Sequence, residues 1–384
     1  LAPSVFPGIW ELPILLVLGL VALAWSGGPL VLAPPEPGDA SAVSFDPRPF
    51  LRGAPGRVGP YLVVTAVLAL SLLAERSLAT VAAFRSLLVG ALVLVAGGEA
   101  WFLALATAIV LVLATFVLPD PALLRERSYF GVTEVVQPAG EGRTVLYNGT
   151  TVHGSQWIDP ARRDQPVGYY VRNGPLGEVF GALDAAEPGP RTIGVVGLGA
   201  GGIAPYARPG DSLTFFEIDP VVVDVAADTR YFTYLADAAT RPSIVLGDGR
   251  RSLEHVPDGT FDLLILDAFS SDSVPAHLLT AEAIADDVRT LRPGGLLLAQ
   301  ISSRSYALEP AVAAAEAPLG LIPLHRDFSP SQEAAADGAI PSEWVAATTN
   351  ANLAAALGAG WTPAQVAARP LTDDHPDLLR FLRP

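Results

Sequence analysis

Apolar and polar positions are spread unevenly along the 384 residues. Up to about residue 118 the chain is apolar almost without interruption, and beyond it short apolar runs alternate with mixed segments. Ala100–Leu118 carries no charge, and about 20 apolar residues in a helix cross a bilayer core, so this run predicts a membrane span. Ile9–Leu32 is a second candidate, interrupted by Gly27, Gly28 and Pro29, with Glu11 near one end. A third runs from Tyr61 to Ala74, and a fourth, Ser86–Gly97, is short and needs flanking residues to span. A buried soluble helix reads the same way for any one of them. Four in succession leave too little polar surface for a soluble domain. The first segment has no basic start and is followed by further apolar runs, unlike a cleavable leader. Arg76 and Arg85, with Arg125 and Arg127 after the last span, fall on one side, which the positive-inside rule makes cytoplasmic; Arg48, Arg52 and Arg57 fall opposite and count against it. Residues 1–120 are therefore expected to be a multi-pass anchor of about four helices in the inner cell membrane, with the lipid bilayer as partner and the rest in the cytoplasm.

The remainder reads as a separate body. Phe130–Val136 and Arg143–Tyr147 have strand character and are split by a turn at 138–142, which predicts a small β-rich domain over 128–180. Thr192–Val196, Leu213–Phe216, Ser243–Leu246, Leu263–Leu266 and Leu296–Ile301 are strand-length apolar runs, with helical stretches such as Val221–Ala227 and Ala281–Leu291 between them. That alternation predicts a mainly parallel sheet with helices on both faces over 190–384. Further on, Pro310–Leu319 and Pro363–Arg369 are expected to be helical and Glu343–Thr349 a strand.

Composition narrows the chemistry. The net charge of −15, from 24 basic against 39 acidic residues, leaves no phosphate-backbone footprint, so no nucleic-acid partner is expected. Cys is absent, which excludes disulfides and thiolate chemistry. Every basic residue is Arg, so lysine Schiff bases and Walker loops are excluded as well. Five scattered His offer no metal site, and none is expected. Met is absent even at the start, which suggests a fragment of a longer chain.

Ligands of an open α/β sheet sit outside the carboxyl ends of its strands. The first such end carries the turn Gly197-Leu198-Gly199-Ala200-Gly201-Gly202, where glycine permits positive φ and close approach of a ligand. The second ends in Glu217-Ile218-Asp219, roughly 20 residues on, where an acidic residue can accept from ribose hydroxyls. The third ends in Asp248-Gly249 and the fourth in Asp267. Any one of these is as well explained by a helix cap or a turn. Together they predict an adenine-nucleoside site. With no basic residue in the glycine turn, they fit a sulfonium nucleoside better than a dinucleotide.

The motifs YNGTTVHGSQ at 147–156, PVGYY at 166–170, VVGLGAGG at 195–202, FEIDP at 216–220, GDGR at 247–250 and LDAFSSDSVPAHLLT at 266–280 resemble the spermidine synthase (polyamine aminopropyltransferase) family, and in particular its membrane-fused bacterial branch. The likeness runs from Tyr129 to about Arg304. It implies an α-helical membrane segment followed by an α/β part, a small β-domain plus a class I methyltransferase-like Rossmann domain. It also implies an aminopropyl transfer from decarboxylated S-adenosylmethionine, a co-substrate rather than a prosthetic group, to an amine such as putrescine, and a homo-oligomer. By resemblance Gly197, Gly199, Gly201, Glu217, Asp219, Asp248, Gly249, Pro275 and Gln156 would hold the nucleoside. Asp267 would be the general base, helped by Tyr170, and Asp272 and Tyr169 would position the amine. Asp373 and Asp374 read as a solvated turn.

Three departures lie near the charged groups. The family's glycine turn has Asp where this chain has Ala200. Its tyrosine motif continues with His or Gln and then Glu, where Val171 and Arg172 stand here. The Asp-rich loop between Asp267 and Pro275 is one residue longer. Arg172 would suit a donor that keeps its carboxylate. Methyl transfer from S-adenosylmethionine is therefore the second expectation, and a transporter or sensor that binds polyamine or nucleoside without chemistry is the third.

Overall fold

The computed structural model describes residues 122–149, 151–186, 188–268 and 275–383. The predicted membrane spans and Asp272 lie outside the described residues. Among these residues no helix is long and apolar enough to cross a membrane. All of them fall in one unit, Pro121–Pro384.

Four strands, β1 (Ala122–Ser128), β2 (Gly131–Val136), β3 (Arg143–Asn148) and β4 (Thr151–Trp157), pair antiparallel in chain order. The sequence showed the middle two; β1 and β4 extend the sheet on either side. α1 (Pro175–Ala186) follows. Its Leu176, Val179, Phe180 and Leu183 recur at helical spacing and are all buried.

The larger sheet comes from β5 (Thr192–Val196), β6 (Ser212–Glu217), α2 (Pro220–Ala227), α3 (Tyr234–Asp237), β7 (Ser243–Leu246), α4 (Gly249–Leu253), β8 (Phe261–Leu266), α5 (Ala281–Thr290), β9 (Leu291–Gln300), α6 (Glu309–Glu316), β10 (Ile322–Phe328), α7 (Gln332–Ala336), β11 (Ser342–Thr348), α8 (Ala351–Ala356) and β12 (Thr362–Pro363). The strand order is β12-β10-β11-β9-β8-β5-β6-β7. The five strands from β9 to β7 are parallel, and β11, β10 and β12 add antiparallel pairs on one side, so the sheet is mixed.

Alternation along the central strands splits the core into two layers. Ile193, Val195, Leu263 and Ile265 pack with α1, α2 and α8 on one face. Val196, Leu264 and Leu266 pack with α4, α5 and α6 on the other. Strand β8 is buried along its whole length, as a central parallel strand covered on both faces must be.

The expected helix at Pro363–Arg369 is not formed. After β12 the chain runs irregularly, donating from Ala364 N–H to the Pro323 carbonyl and from Ala367 N–H to the Pro310 carbonyl. Its backbone is satisfied by neighbouring segments instead of by itself. The small sheet also stops earlier than the break in pattern suggested, at Trp157, and α1 packs against the large sheet.

Candidate active site

Register places the parallel strand ends side by side. Val196 pairs with Phe216 and Leu266, and Glu217 with Leu246. The first residue past each strand bonds back to its neighbour. Gly197 N–H donates to the Phe216 carbonyl, Asp267 N–H to the Val196 carbonyl and Gly247 N–H to the Glu217 carbonyl, each at 2.8 Å. The glycine turn, Glu217, Asp248 and Asp267 thus share one edge of the sheet. Gly197 has to be glycine: its φ is +101° and a Cβ would stand 2.1 Å from the Asp267 carbonyl oxygen.

A cavity of about 230 Å³ opens at this edge around Asp267, Tyr170, Tyr169 and Gly199. Asp267 is half-buried in its wall, and one carboxylate oxygen accepts from the Tyr170 hydroxyl at 2.5 Å. Burial pushes the Asp267 carboxyl up to about 7; the bond from Tyr170 works against this, and the nearby Glu217 charge adds to it. Tyr170 itself is held well above its ordinary range, first by burial and then by the Asp267 charge, so it stays a donor. Tyr169 packs edge-to-face on Tyr170 and donates to the Val152 carbonyl, 3.1 Å away.

The other expected residues are engaged with protein. Each Glu217 oxygen accepts one backbone N–H, from Leu198 and from Asp219, both at 2.9 Å. Burial raises the Glu217 carboxyl above its usual range, with those bonds opposing. Asp219 caps α2 through Val221 N–H and accepts from Ser128 Oγ of β1 at 2.7 Å. Asp248 caps α4 through Arg251 N–H, and its other oxygen lies 3.6 Å from His277 Nε2. Gly249 is buried against Val196 in the first turn of α4, and Pro275 opens the short turn at 276–278. Gly201, at φ +82°, packs on Leu235. Gln156 has both ends of its amide occupied: Thr233 N–H donates to Oε1 at 2.8 Å, and Nε2 reaches the Arg163 carbonyl at 2.8 Å and Thr233 Oγ1 at 3.0 Å. It joins the small sheet to the segment leading into α3. The cavity therefore gathers Asp267, both tyrosines and Gly199, while Glu217, Asp219, Asp248, Gly249, Pro275 and Gln156 stand outside its lining.

Sequence reading gave no site role to the rest of the wall. Thr151, Val152 and His153 come from β4, and Gln300, Ser302, Ser303 and Arg304 from the end of β9, with Ile340 after α7. Leu266 pairs with Ala299, so Gln300 sits level with Asp267. The signal was present, because a strand was predicted over Leu296–Ile301 and the strand-end rule applies equally to it. His153 is pushed down to about 4 by burial, which leaves its ring neutral.

One group of potential metal ligands does form among the described residues: Glu309, His325 and Glu343 bring ligand atoms within 4.8 Å of one another. Here they are partnered by protein. His325 Nε2 lies 3.1 Å from Glu343, Gln365 N–H donates to Glu309 at 2.7 Å, and Arg383 pairs with Glu343. Burial opposes a charge on His325, but the bond to Glu343 and the Glu309 charge outweigh it and raise its pKa. The group ties the end of the chain to β11.

Comparison with known proteins bears on these residues. No family model matches the chain. The polyamine aminopropyltransferase of Vibrio vulnificus is 32% identical over 164 residues, 41% of this chain and 50% of that protein. Spermidine synthase 1 of Pisum sativum is 37% identical over 123 residues, 30% of this chain and 36% of that protein. The chain thus spans half or less of these curated relatives. The crystal structure of a probable spermidine synthase from Corynebacterium glutamicum superposes with a TM-score of 0.50 at 17% identity, over 66% of this chain and 97% of the other. That likeness concerns the fold, and the fold and the sequence point the same way. Over part of its length the chain is similar in sequence to these aminopropyltransferases and spermidine synthases, and its described part shares the fold of the Corynebacterium glutamicum structure.

Proposed function

We propose that the chain is a transferase that moves an aminopropyl group from decarboxylated S-adenosylmethionine to an amine such as putrescine. The observation that carries this reading is Asp267, hydrogen-bonded by Tyr170 at the end of β8, in a cavity and with a carboxyl at about 7. An alkylammonium is no nucleophile until it loses a proton. A carboxylate raised to about 7 accepts that proton about 4 kcal/mol more readily than one at its ordinary value. The amine lone pair then forms a bond to the carbon beside the sulfonium. The carbon–sulfur bond breaks with its electrons going to sulfur, and methylthioadenosine leaves. Glu217 and Asp248 flank the glycine turn and would take the ribose hydroxyls and the adenine amino group. A carboxylate offers about four lone-pair sites, so Glu217 keeps acceptor capacity beyond its backbone bonds. The apolar stretches before residue 119 would hold this domain on the inner face of a membrane.

The test is direct. The full chain, recovered with detergent from the membrane fraction, is incubated with decarboxylated S-adenosylmethionine and putrescine. The expected result is methylthioadenosine released in step with the longer polyamine. Recovery without detergent from the soluble fraction would remove the membrane part. Nucleoside binding with no product from any diamine would remove the transfer.

A second reading, methyl transfer from S-adenosylmethionine, is favoured by one feature. Ala200 offers no carboxylate for the donor's aminopropyl ammonium, and it is buried against β4.

Tyr170→Phe separates orientation from basicity. Losing the hydroxyl removes the interaction that lowers the Asp267 pKa. The acid limb of the kcat/KM profile should therefore move up by about one pH unit, because a net hydrogen bond is worth about 1 kcal/mol. An unshifted limb with a lower plateau would mean that Tyr170 only shapes the cavity.

A further inference from the structure

Among the described residues, the wall of the cavity around Asp267 has a charge pattern that a diamine does not match. Among the described residues Asp267 is the single carboxylate in its wall. Beside it Gln300 is a neutral acceptor: this side chain is 5% exposed, its Nε2 donates to Ser302 Oγ at 2.7 Å, and its Oε1 is buried with no partner. His153 is neutral. The remaining charge among the described lining residues is positive. Arg304, four residues past the end of β9, lines the same cavity and is exposed, with no hydrogen bond or ion pair to any described residue. Other arginines of the fold are bound to carboxylates, as Arg250 is to Asp373 and Arg326 to Glu178.

A diammonium ligand with one end at Asp267 would bring its second cation into a wall whose other charge among the described residues is also a cation, and like charges repel. A guanidinium is instead the donor fork that matches a carboxylate. Arg172, the basic residue that the sequence offered for such a group, is engaged elsewhere: it donates to the Pro205 carbonyl at 2.9 Å and lies over the Tyr206 ring, 4.9 Å from its centre.

We propose that this cavity takes an amine that also carries a carboxylate, an α-amino-acid head, with the amine at Asp267 and Gln300 and the carboxylate on Arg304. The inference rests on the reading of the cavity as a transferase site, replaces either putrescine or the decarboxylated donor of that reading by its carboxylated counterpart, and makes Arg304 the residue that sets specificity. The amino-acid head has two sources, an amino-acid acceptor or a donor that keeps its carboxylate.

Two ligand pairs differ by that one group: putrescine against L-ornithine, and decarboxylated S-adenosylmethionine against S-adenosylmethionine. Calorimetric titration of the full chain with all four, before and after Arg304→Gln, tests the proposal. In at least one pair the carboxylated member should bind about tenfold or more tightly, the size of one charge-assisted contact. Arg304→Gln should abolish that preference by weakening the carboxylated member, and should leave the decarboxylated member bound at least as tightly as before, because the like charge is gone. The pair that responds identifies acceptor or donor. Arg304 is exposed, so an unchanged melting temperature is expected of the variant. Equal or tighter binding of the decarboxylated member in both pairs overturns the proposal and leaves the transferase reading standing. A preference that survives Arg304→Gln also overturns it. If none of the four binds, the transferase reading falls and takes this inference with it.

Discussion

Asp267→Asn should lower turnover at least ~100-fold, the scale on which general-base catalysis operates, while leaving nucleoside affinity nearly unchanged. The same substitution should make the protein more stable at alkaline pH. In the unfolded chain this carboxyl ionises at 3.8 and in the folded protein at about 7, chiefly because burial opposes the charge. Between those values the folded state holds the extra proton, so stability falls as pH rises, and above about 7 the full penalty is present. A raised carboxylate pKa thus works against the fold at high pH, the opposite of a salt-bridged one. Three pH units set a ceiling of about 4 kcal/mol. Asp267 faces a cavity that admits solvent, whose screening brings the expected gain nearer ~2 kcal/mol. For a unit of this size that is roughly 5 °C in melting temperature. The checks are single-turnover kinetics and thermal melts at pH 4, 6 and 8, where the difference between variant and parent should vanish toward pH 4 and be largest at pH 8. Near-normal turnover would take Asp267 out of the chemistry. A variant no more stable at pH 8 than at pH 4 would mean that the carboxylate is solvated in the folded state.

That trade of stability for reactivity explains which residues were legible in the sequence. Strands β5, β6, β8 and β9 are buried on both faces, and a strand that must be apolar throughout is visible as a run. The chemistry at the ends of β5, β6 and β8 was found because it departs from that run. The end of β9 was passed over because Gln300, Ser302 and Arg304 look like an ordinary loop, and only the register with β8 brings Gln300 level with Asp267. Strand β10, IPLHRDF, was missed because only Leu324 and Phe328 are buried in it, and its polar residues serve neighbours such as Glu178 and Glu343. Helix α1 was obscured by Gly177 and Gly181, which weaken helix propensity locally. Asp248, Asp219 and Gln156 show the limit of motif reading: each also fulfils a structural role here, as a cap or a clasp, whatever else it binds.

The departure at Ala200 is the one whose consequence reaches furthest. Restoring the carboxylate that the family carries there should not make this chain a better acceptor of the decarboxylated donor. Ala200 is 1% exposed, packed with Val135, Leu146, Val221, Val225 and Phe232. Its N–H donates to the His153 carbonyl at 3.2 Å, which seats the glycine turn under β4. The fit is close enough that a Cβ added to Gly154, at φ +144°, would lie 2.6 Å from the Ala200 Cβ. Ala200→Asp would place a carboxylate among apolar side chains, a burial that costs about 3 kcal/mol or more without a partner. The expected result is a melting temperature lower by roughly 7 °C or more and no tighter binding of decarboxylated S-adenosylmethionine by calorimetry. The contact between Gly154 and Ala200 is then a fixed part of the fold, and this chain must hold the ammonium of its donor by groups other than residue 200. A variant that melts like its parent and binds the decarboxylated donor more tightly would show that β4 lifts off the turn in solution. The sequence departure would then be a point change within an otherwise conventional aminopropyl site.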